Sequence, residues 1–455
     1  MSRSRRVIAT GLALVLGLAA CGNSGDDAAA PTTSTGDGGQ TAAAGDESDR
    51  DEFVSLDGVP GVSDDEISFA VVGTKNGNPL GTCILDCYLE GIEAYFAFRN
   101  DEGGIYGRDL VIGEVLDDEL SENQVRTLDV ISADTAFGVF QATLLASGWG
   151  DLESAGVPTY TWGIHAADAA DRSHIFPSLV IRCDHCTSRV VPYAAQISGA
   201  QHAAAIGYGV SDNSKQCTQA TANSIETYQE DSGVDLVYTN DDLAYGLSNG
   251  IGPEVSAMKE AGVDFVSTCI DLNGMKTLAQ ELQRQGMDDV VLYHPNTYNQ
   301  RFVADAGDLF EGDIVSVQFR PFESESDGTA LEDFLTWMDE QGNEPSELAM
   351  VGWINASLAF EGLLAAGPEF DRDGVTAATN ALTFDAGGII EPIDWSEAHA
   401  PYTQDTRDQD STDECTVLVK VEGGEFTSVA PPETPWLCWS QTDLEWSEPE
   451  PTAFD

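Results

Sequence analysis

The chain has 455 residues, with 78 Asp and Glu against 20 Lys and Arg, a formal net charge of −58. So large an acidic excess repels phosphate backbones and anionic lipid surfaces, which excludes nucleic acid as a partner. The acids are spread along the whole chain, which suits a solvated surface whose self-repulsion is screened by salt over ~8 Å; a field that gathers cationic ligands is the other reading.

The first predicted element is a leader. Arg3, Arg5 and Arg6 precede an apolar run from Val7 that closes on Leu18-Ala19-Ala20-Cys21. The run falls short of the roughly 20 residues a bilayer span needs. The LAAC tetrad resembles the lipobox of bacterial lipoproteins, which implies cleavage before Cys21 and a lipid anchor on its thiol, each buried methylene contributing ~0.8 kcal/mol. Cleavage near Ala20 in an ordinary secreted protein is the alternative. Residues 22–51 contain no large apolar side chain, so residues 22–62 read as a flexible acidic stalk. The rest of the chain is expected outside the cytoplasm, on the outer face of a membrane or in a periplasm. Of the nine cysteines, the eight beyond Cys21 are then expected as disulfides. The spacings suggest Cys83 with Cys87, Cys183 with Cys186, Cys217 with Cys269, and Cys415 with Cys438. A zinc site built from Cys83, Cys87, Cys183, His185 and Cys186 is the rival reading.

From Glu66 short apolar runs alternate with amphipathic stretches. Residues 67–72, 110–115, 137–140 and 158–162 are predicted strands, with helices between them marked by Leu89, Ile92 and Phe96 and by Val125, Leu128 and Ile131. The alternation continues through strands at 203–208, 236–238, 265–269, 290–293 and 314–317. The stripe Met275, Leu278, Ala279 and Leu282 places a helix between two of them. Nine or ten such strands exceed one compact open sheet, so two doubly wound parallel sheets are expected, breaking near Ile181 to Cys186. Past Phe319 helices dominate, at 330–340, 350–366 and 372–382. Residues 396–414 read as a long loop, residues 416–421 and 425–429 as a hairpin around Gly423-Gly424, and residues 431–455 as a tail lying along the surface.

Enzyme motifs are missing: there is no G-x-S-x-G elbow, no H-E-x-x-H and no P-loop. His165, Asp168 and Asp171 have a spacing that suits metal ligands on one helix face, but acids there equally suit the positive end of a helix dipole. Asp371-Arg372-Asp373-Gly374 reads as a turn capping the next helix.

Residues 90–118, EGIEAYFAFRNDEGGIYGRDLVIGEVLDD, run helix, N-D-E-G-G-I-x-G-R, strand, D-D. This order resembles the first lobe of the type I periplasmic binding proteins, the leucine/isoleucine/valine-binding group of ABC importers. Gly156-Val157-Pro158, Phe176-Pro177 and Gly352-Trp353-Ile354-Asn355-Ala356 extend the resemblance over residues 66–426. It implies an α/β fold of two doubly wound parallel-sheet lobes joined by a multi-strand hinge: residues 63–183 with 320–390, residues 184–319 with 391–440, and an acidic tail at 441–455. Hinge crossings are expected near Ile181 to Cys186, Gln318 to Phe322, and between Ala386 and Cys415.

The resemblance also implies ligand contacts on Gln141, Ala142 and Thr143 and on Trp162, Gly163 and His165. In the second lobe it implies Ser211, Asn213, Asp271, Asn296 and Tyr298. Thr143 and nearby amides suit a carboxylate. Asn296 stands where amino-acid binders commonly carry a glutamate, so Asp271 holds an ammonium or the ligand lacks one. The expected function is capture of a small polar solute for an ABC permease by a monomer on a lipid anchor, with no cofactor, no metal and no catalysed reaction. A sensory lipoprotein of the same fold and a secreted α/β hydrolase are the rivals.

Overall fold

A computed structural model describes residues 52–78, 81–183, 186–210, 212–295, 297–404, 414–440 and 444–454. The first half alternates β1 (Glu66–Gly73), α1 (Leu85–Asp101), β2 (Asp109–Asp117), α2 (Asn123–Ala133), β3 (Gly138–Ala142), α3 (Trp149–Ala155), β4 (Thr159–Ile164), α4 (Ala166–Ala169) and β5 (Ile175–Val180). Its strands form one parallel sheet in the order β2-β1-β3-β4-β5. Such a sheet is covered on both faces, so β1 and β3 are apolar without alternation and almost wholly buried.

The second half repeats the pattern with α5 (Val190–Ser198), β6 (His202–Tyr208), α6 (Asp212–Ser232), β7 (Asp235–Leu243), α7 (Gly252–Ala261), β8 (Phe265–Cys269), α8 (Leu272–Arg284), β9 (Val291–His294), α9 (Gln300–Ala306) and β10 (Ile314–Val317). There follow α10 (Ala330–Glu340), α11 (Glu347–Ala366), α12 (Arg372–Thr379), β11 (Thr383–Phe384), β12 (Ile393–Asp394), α13 (Trp395–Ala398), β13 (Glu414–Glu422), β14 (Glu425–Ser428), β15 (Trp436–Trp439) and β16 (Glu450–Thr452). Strands β6 to β10 are parallel to one another. Beyond β10 the sheet continues antiparallel through β13, β15 and β16, so the second sheet is mixed rather than purely parallel.

That extension corrects the expectation of a surface tail after Pro431. Trp436, Leu437, Cys438 and Trp439 are buried in β15, paired to β13, which would otherwise present an open edge. The four expected cysteine pairs are all bonded in the structure, with Cα separations of 5.7, 5.6, 5.9 and 4.1 Å in chain order.

Helix α11 is the one described helix long and apolar enough to cross a membrane, yet it is buried nearly all round and serves as the core of the first half. It crosses α1 at backbone contact: a Cβ on Gly91 would strike the Ala349 carbonyl, and one on Gly352 the Tyr88 carbonyl. The Tyr88 hydroxyl accepts a hydrogen bond from the Asn355 amide at 2.7 Å across the same seam.

Two expectations about packing are corrected. Helix α2 forms, but Val125 and Leu128 are exposed while Asn123, Thr127 and Val130 are buried. The buried face is polar because Asn123 accepts the Ser147 and Gly148 amides, and Thr127 accepts the Gln141 side-chain amide. Trp395 and His399, expected with the second lobe, pack edge-on against Phe176 of β5 and so belong with the first sheet. The chain therefore passes between the sheets at 181–189, at 318–329 and after Ala400.

Candidate functional site

In an open α/β sheet the backbone fans apart beyond the carboxyl ends of the strands, and ligands bind there. The two sheets turn these edges toward each other. His165, the residue between β4 and α4, hydrogen-bonds through Nε2 to the side-chain oxygen of Asn213 in the first turn of α6. Gly81, on the loop after β1, lies against the Asn273 carboxamide in the first turn of α8, too close to admit a Cβ. These two contacts bridge a cleft whose walls are the loops after β1, β3 and β4 on one side and after β6, β7 and β8 on the other.

On the first wall the Asp117-Asp118 pair organises the loops. Asp117 accepts the amides of Lys75, Asn76 and Glu119; although burial pushes its carboxyl up, these bonds hold it below the usual range. Asp118 is fully buried, and desolvation raises its carboxyl despite bonds from the Thr74 hydroxyl and the Leu120 amide. Thr143 is half-buried beside Leu145, which is 57% exposed. Three of the amides following β3 are spent within the protein. Leu144 donates to the Thr74 hydroxyl at 3.1 Å, and Ser147 and Gly148 donate to Asn123 at 2.8 and 3.1 Å. Trp162 is half-buried, its carbonyl held by the Ser178 hydroxyl, and a Cβ on Gly163 would meet open space. Lys75, the basic residue on this rim, is paired with Asp86 at 2.9 Å.

On the second wall Tyr208, at the end of β6, donates its hydroxyl to Asp271 Oδ2 at 2.5 Å. Asp271 is the N-cap of α8, its Oδ1 accepting the Gly274 amide at 3.0 Å. Burial, then the hydrogen bond to Asp271 and that carboxylate's charge, hold the Tyr208 phenol firmly protonated. Tyr245 stands with its ring 5.0 Å from that of Tyr208 and is 38% exposed. The corner is braced from below. Ser214 accepts the Tyr208 amide and donates to the Cys269 carbonyl, and the Cys217–Cys269 disulfide ties α6 to the end of β8.

The predicted residues thus divide. Thr143 follows β3, Trp162 and Gly163 lie at the end of β4 with His165 just after it, and Asn213 and Asp271 stand at the starts of α6 and α8; of these, His165 and Asn213 touch. Gln141 and Ala142 are fully buried in β3, and the Gln141 side chain turns away to Thr127 of α2. Tyr298 is corrected from a cleft wall to a packing residue. It is 1% exposed among Phe319, Phe322 and Phe426, donating to Glu323 at 2.5 Å and accepting the Phe322 amide at 2.8 Å. Cys21, Ser211 and Asn296 lie outside the described residues. Tyr208 and Tyr245 were not among the predicted site residues; an aromatic residue closing an otherwise small apolar strand, as in Ala203-Ala204-Ala205-Ile206-Gly207-Tyr208, was the available signal. Among the described residues no group of three His, Cys, Asp or Glu is gathered for a metal ion. A 290 Å³ depression near Asp288, Asp308 and Glu311 lies at the opposite, amino-terminal edge of the second sheet and contains none of the predicted residues.

The periplasmic binding protein family model matches residues 66–425, spanning both sheets. No curated protein matches the chain. Among solved structures, a solute-binding protein of an ABC transporter from R. palustris in complex with 4-hydroxybenzoate superposes with a TM-score of 0.63 at 15% identity, covering 80% of this chain and 95% of that one. A leucine-binding protein from Thermotoga maritima gives 0.62 at 14% identity, with 80% and 98% covered. A branched-chain amino acid ABC transporter protein from Thermus thermophilus with bound valine gives 0.61 at 16% identity, with 80% and 96% covered. At such identities the likeness is one of fold.

Proposed function

The chain belongs to the periplasmic binding protein family, and from that premise we propose that it is a lipid-anchored, extracytoplasmic receptor that traps a small solute in the cleft and presents it to an ABC permease. The observation that carries this reading is the bridged cleft itself: two carboxyl-end sheet edges facing each other and touching through His165 and Asn213. The family is one of solute-binding proteins rather than enzymes. Its work is conformational, since a ligand that binds the closed state better than the open one draws the lobes together by its differential affinity. We assign the hinge to the three passages at 181–189, 318–329 and after Ala400, and the anchor to Cys21.

The neighbours bind valine and 4-hydroxybenzoate, so the solute class to be searched extends from amino acids and amides to aromatic acids and amines. A thermal-shift screen of the purified protein against that range tests the role. At 100 times the dissociation constant a ligand adds about 2.7 kcal/mol to stability. If no small molecule moves the melt while the protein hydrolyses an ester or amide, the receptor reading fails. Cys21→Ala should release the protein from membranes into the soluble fraction; unchanged membrane retention would remove the anchor.

A further inference from the structure

Asp271 is nine-tenths buried at the cleft edge of the second sheet, and among the described residues no Lys, Arg or His pairs with it. Both of its oxygens are held by neutral donors, the Tyr208 hydroxyl and the Gly274 amide, so its negative charge is positioned but not compensated. A buried charge without a counter-charge is expensive, and a ligand that supplies one removes that cost. Tyr245 presents an exposed ring to the same corner, and an aromatic face attracts a cation within about 6 Å of its centre. On the opposite wall the Leu144, Ser147 and Gly148 amides already have protein acceptors, and Lys75 is paired with Asp86. The net charge of −58 draws cations toward the protein from a distance.

Resting on the receptor role proposed above, we infer that the cleft takes a small organic cation, an amine or quaternary ammonium with a compact apolar body. Its charge sits against Asp271 and the faces of Tyr208 and Tyr245, and its apolar part lies toward Trp162 and Leu145. This departs from the carboxylate clamp implied by the family resemblance, in which Thr143 and its neighbouring amides hold the ligand.

Isothermal titration of the intact protein with choline and isoamylamine, beside 3,3-dimethylbutanol as the uncharged isostere of choline and L-valine and benzoate as zwitterion and anion, decides the matter. The cations should saturate and the isostere should not. Asp271→Asn keeps an N-cap of equal quality and removes the uncompensated charge, so it should melt no lower than the wild type while weakening cation binding by roughly 10- to 100-fold, the range for a lost hydrogen-bonded charge. Tyr245→Leu should weaken binding and Tyr245→Phe should restore it, a split that a purely structural role would not produce. The assignment is overturned if neither cation binds, if choline and its isostere bind alike, or if Asp271→Asn retains wild-type affinity. Binding of valine or benzoate that survives Asp271→Asn would sink the cation class and leave the receptor standing; failure of the whole solute screen would sink both.

Discussion

Glu347 opens α11 at the passage between the sheets, with its carboxyl enclosed and the Tyr298 amide donating to it. The helix dipole favours an anion in this first turn, but desolvation dominates and pushes the carboxyl from 4.5 up to about 7. One pKa unit corresponds to about 1.4 kcal/mol, so ionised Glu347 costs the fold about 3 kcal/mol. Below pH 4.5 both folded and unfolded chains are protonated and nothing is lost. Between 4.5 and 7 the native state holds a proton that the unfolded state has released, so stability falls as pH rises, and above 7 the whole penalty is present. Glu347→Gln keeps an oxygen for the Tyr298 amide and removes the titration. Urea unfolding at pH 5, 6, 7 and 8 should find the variant little changed at pH 5 and about 3 kcal/mol more stable than wild type at pH 8. Glu323, raised by burial in the same cluster, and the buried Asp118 and Asp313 act in the same direction, so a residual slope should persist in Glu347→Gln and shrink further when Glu323→Gln is added. A constant difference between wild type and Glu347→Gln at all four pH values would refute the reasoning.

Gly91→Ala forces a methyl into the Ala349 carbonyl, and since the obstacle is backbone the cost should reach or exceed the upper end of the 1–3 kcal/mol range for overpacking, read from the urea midpoint. Removing Cys217–Cys269, whose ends are 52 positions apart in sequence, should destabilise by about 4 kcal/mol from loop entropy alone, seen as a lower midpoint for Cys217→Ser with Cys269→Ser than for wild type. His165→Ala removes a contact between the lobes without touching either core, so it should leave the midpoint within about 0.5 kcal/mol and raise the ligand dissociation constant. Equal affinity in His165→Ala and wild type would show that this bridge plays no part in closure.

The parallel strands were legible because burial on both faces demands uninterrupted apolar runs, and Ile67 to Val72 and Phe265 to Cys269 have no other good use. Helix α2 misled because its polar face is the buried one, a choice set by Asn123 and Thr127 meeting backbone amides and Gln141 on β3, contacts far apart in sequence. Strand β15 was hidden for a related reason: its pairing with β13 depends on an edge that exists only once the sheet has formed. At the site, Thr143 and Asp271 could be assigned to the loops after β3 and β8 because a strand's carboxyl end locates the loop that follows it. Tyr298 could not, because the same loop turns its ring inward onto Phe319 and Phe426.

The disulfides bear on how such a cleft is held open to one ligand class. Cys83 follows β1, Cys183 follows β5, Cys269 ends β8, and Cys415 begins β13, which runs antiparallel to β10 and so lies beside its carboxyl end. Every bridge therefore sits at the cleft edge or at a passage between the sheets, while the amino-terminal edges of the strands are held by packing and by hydrogen bonds such as those of Asp264, Asp313 and Arg372. Loop backbones at the carboxyl edge have few ladder bonds to fix them, and a site must hold its groups to within about half an ångström to discriminate. Covalent restraint there limits the freedom of Tyr208 and Asp271 beside Cys269 without stiffening the lobes themselves. Closure can then proceed as the movement of two prepared surfaces, with ordering of the binding loops largely completed before the ligand arrives.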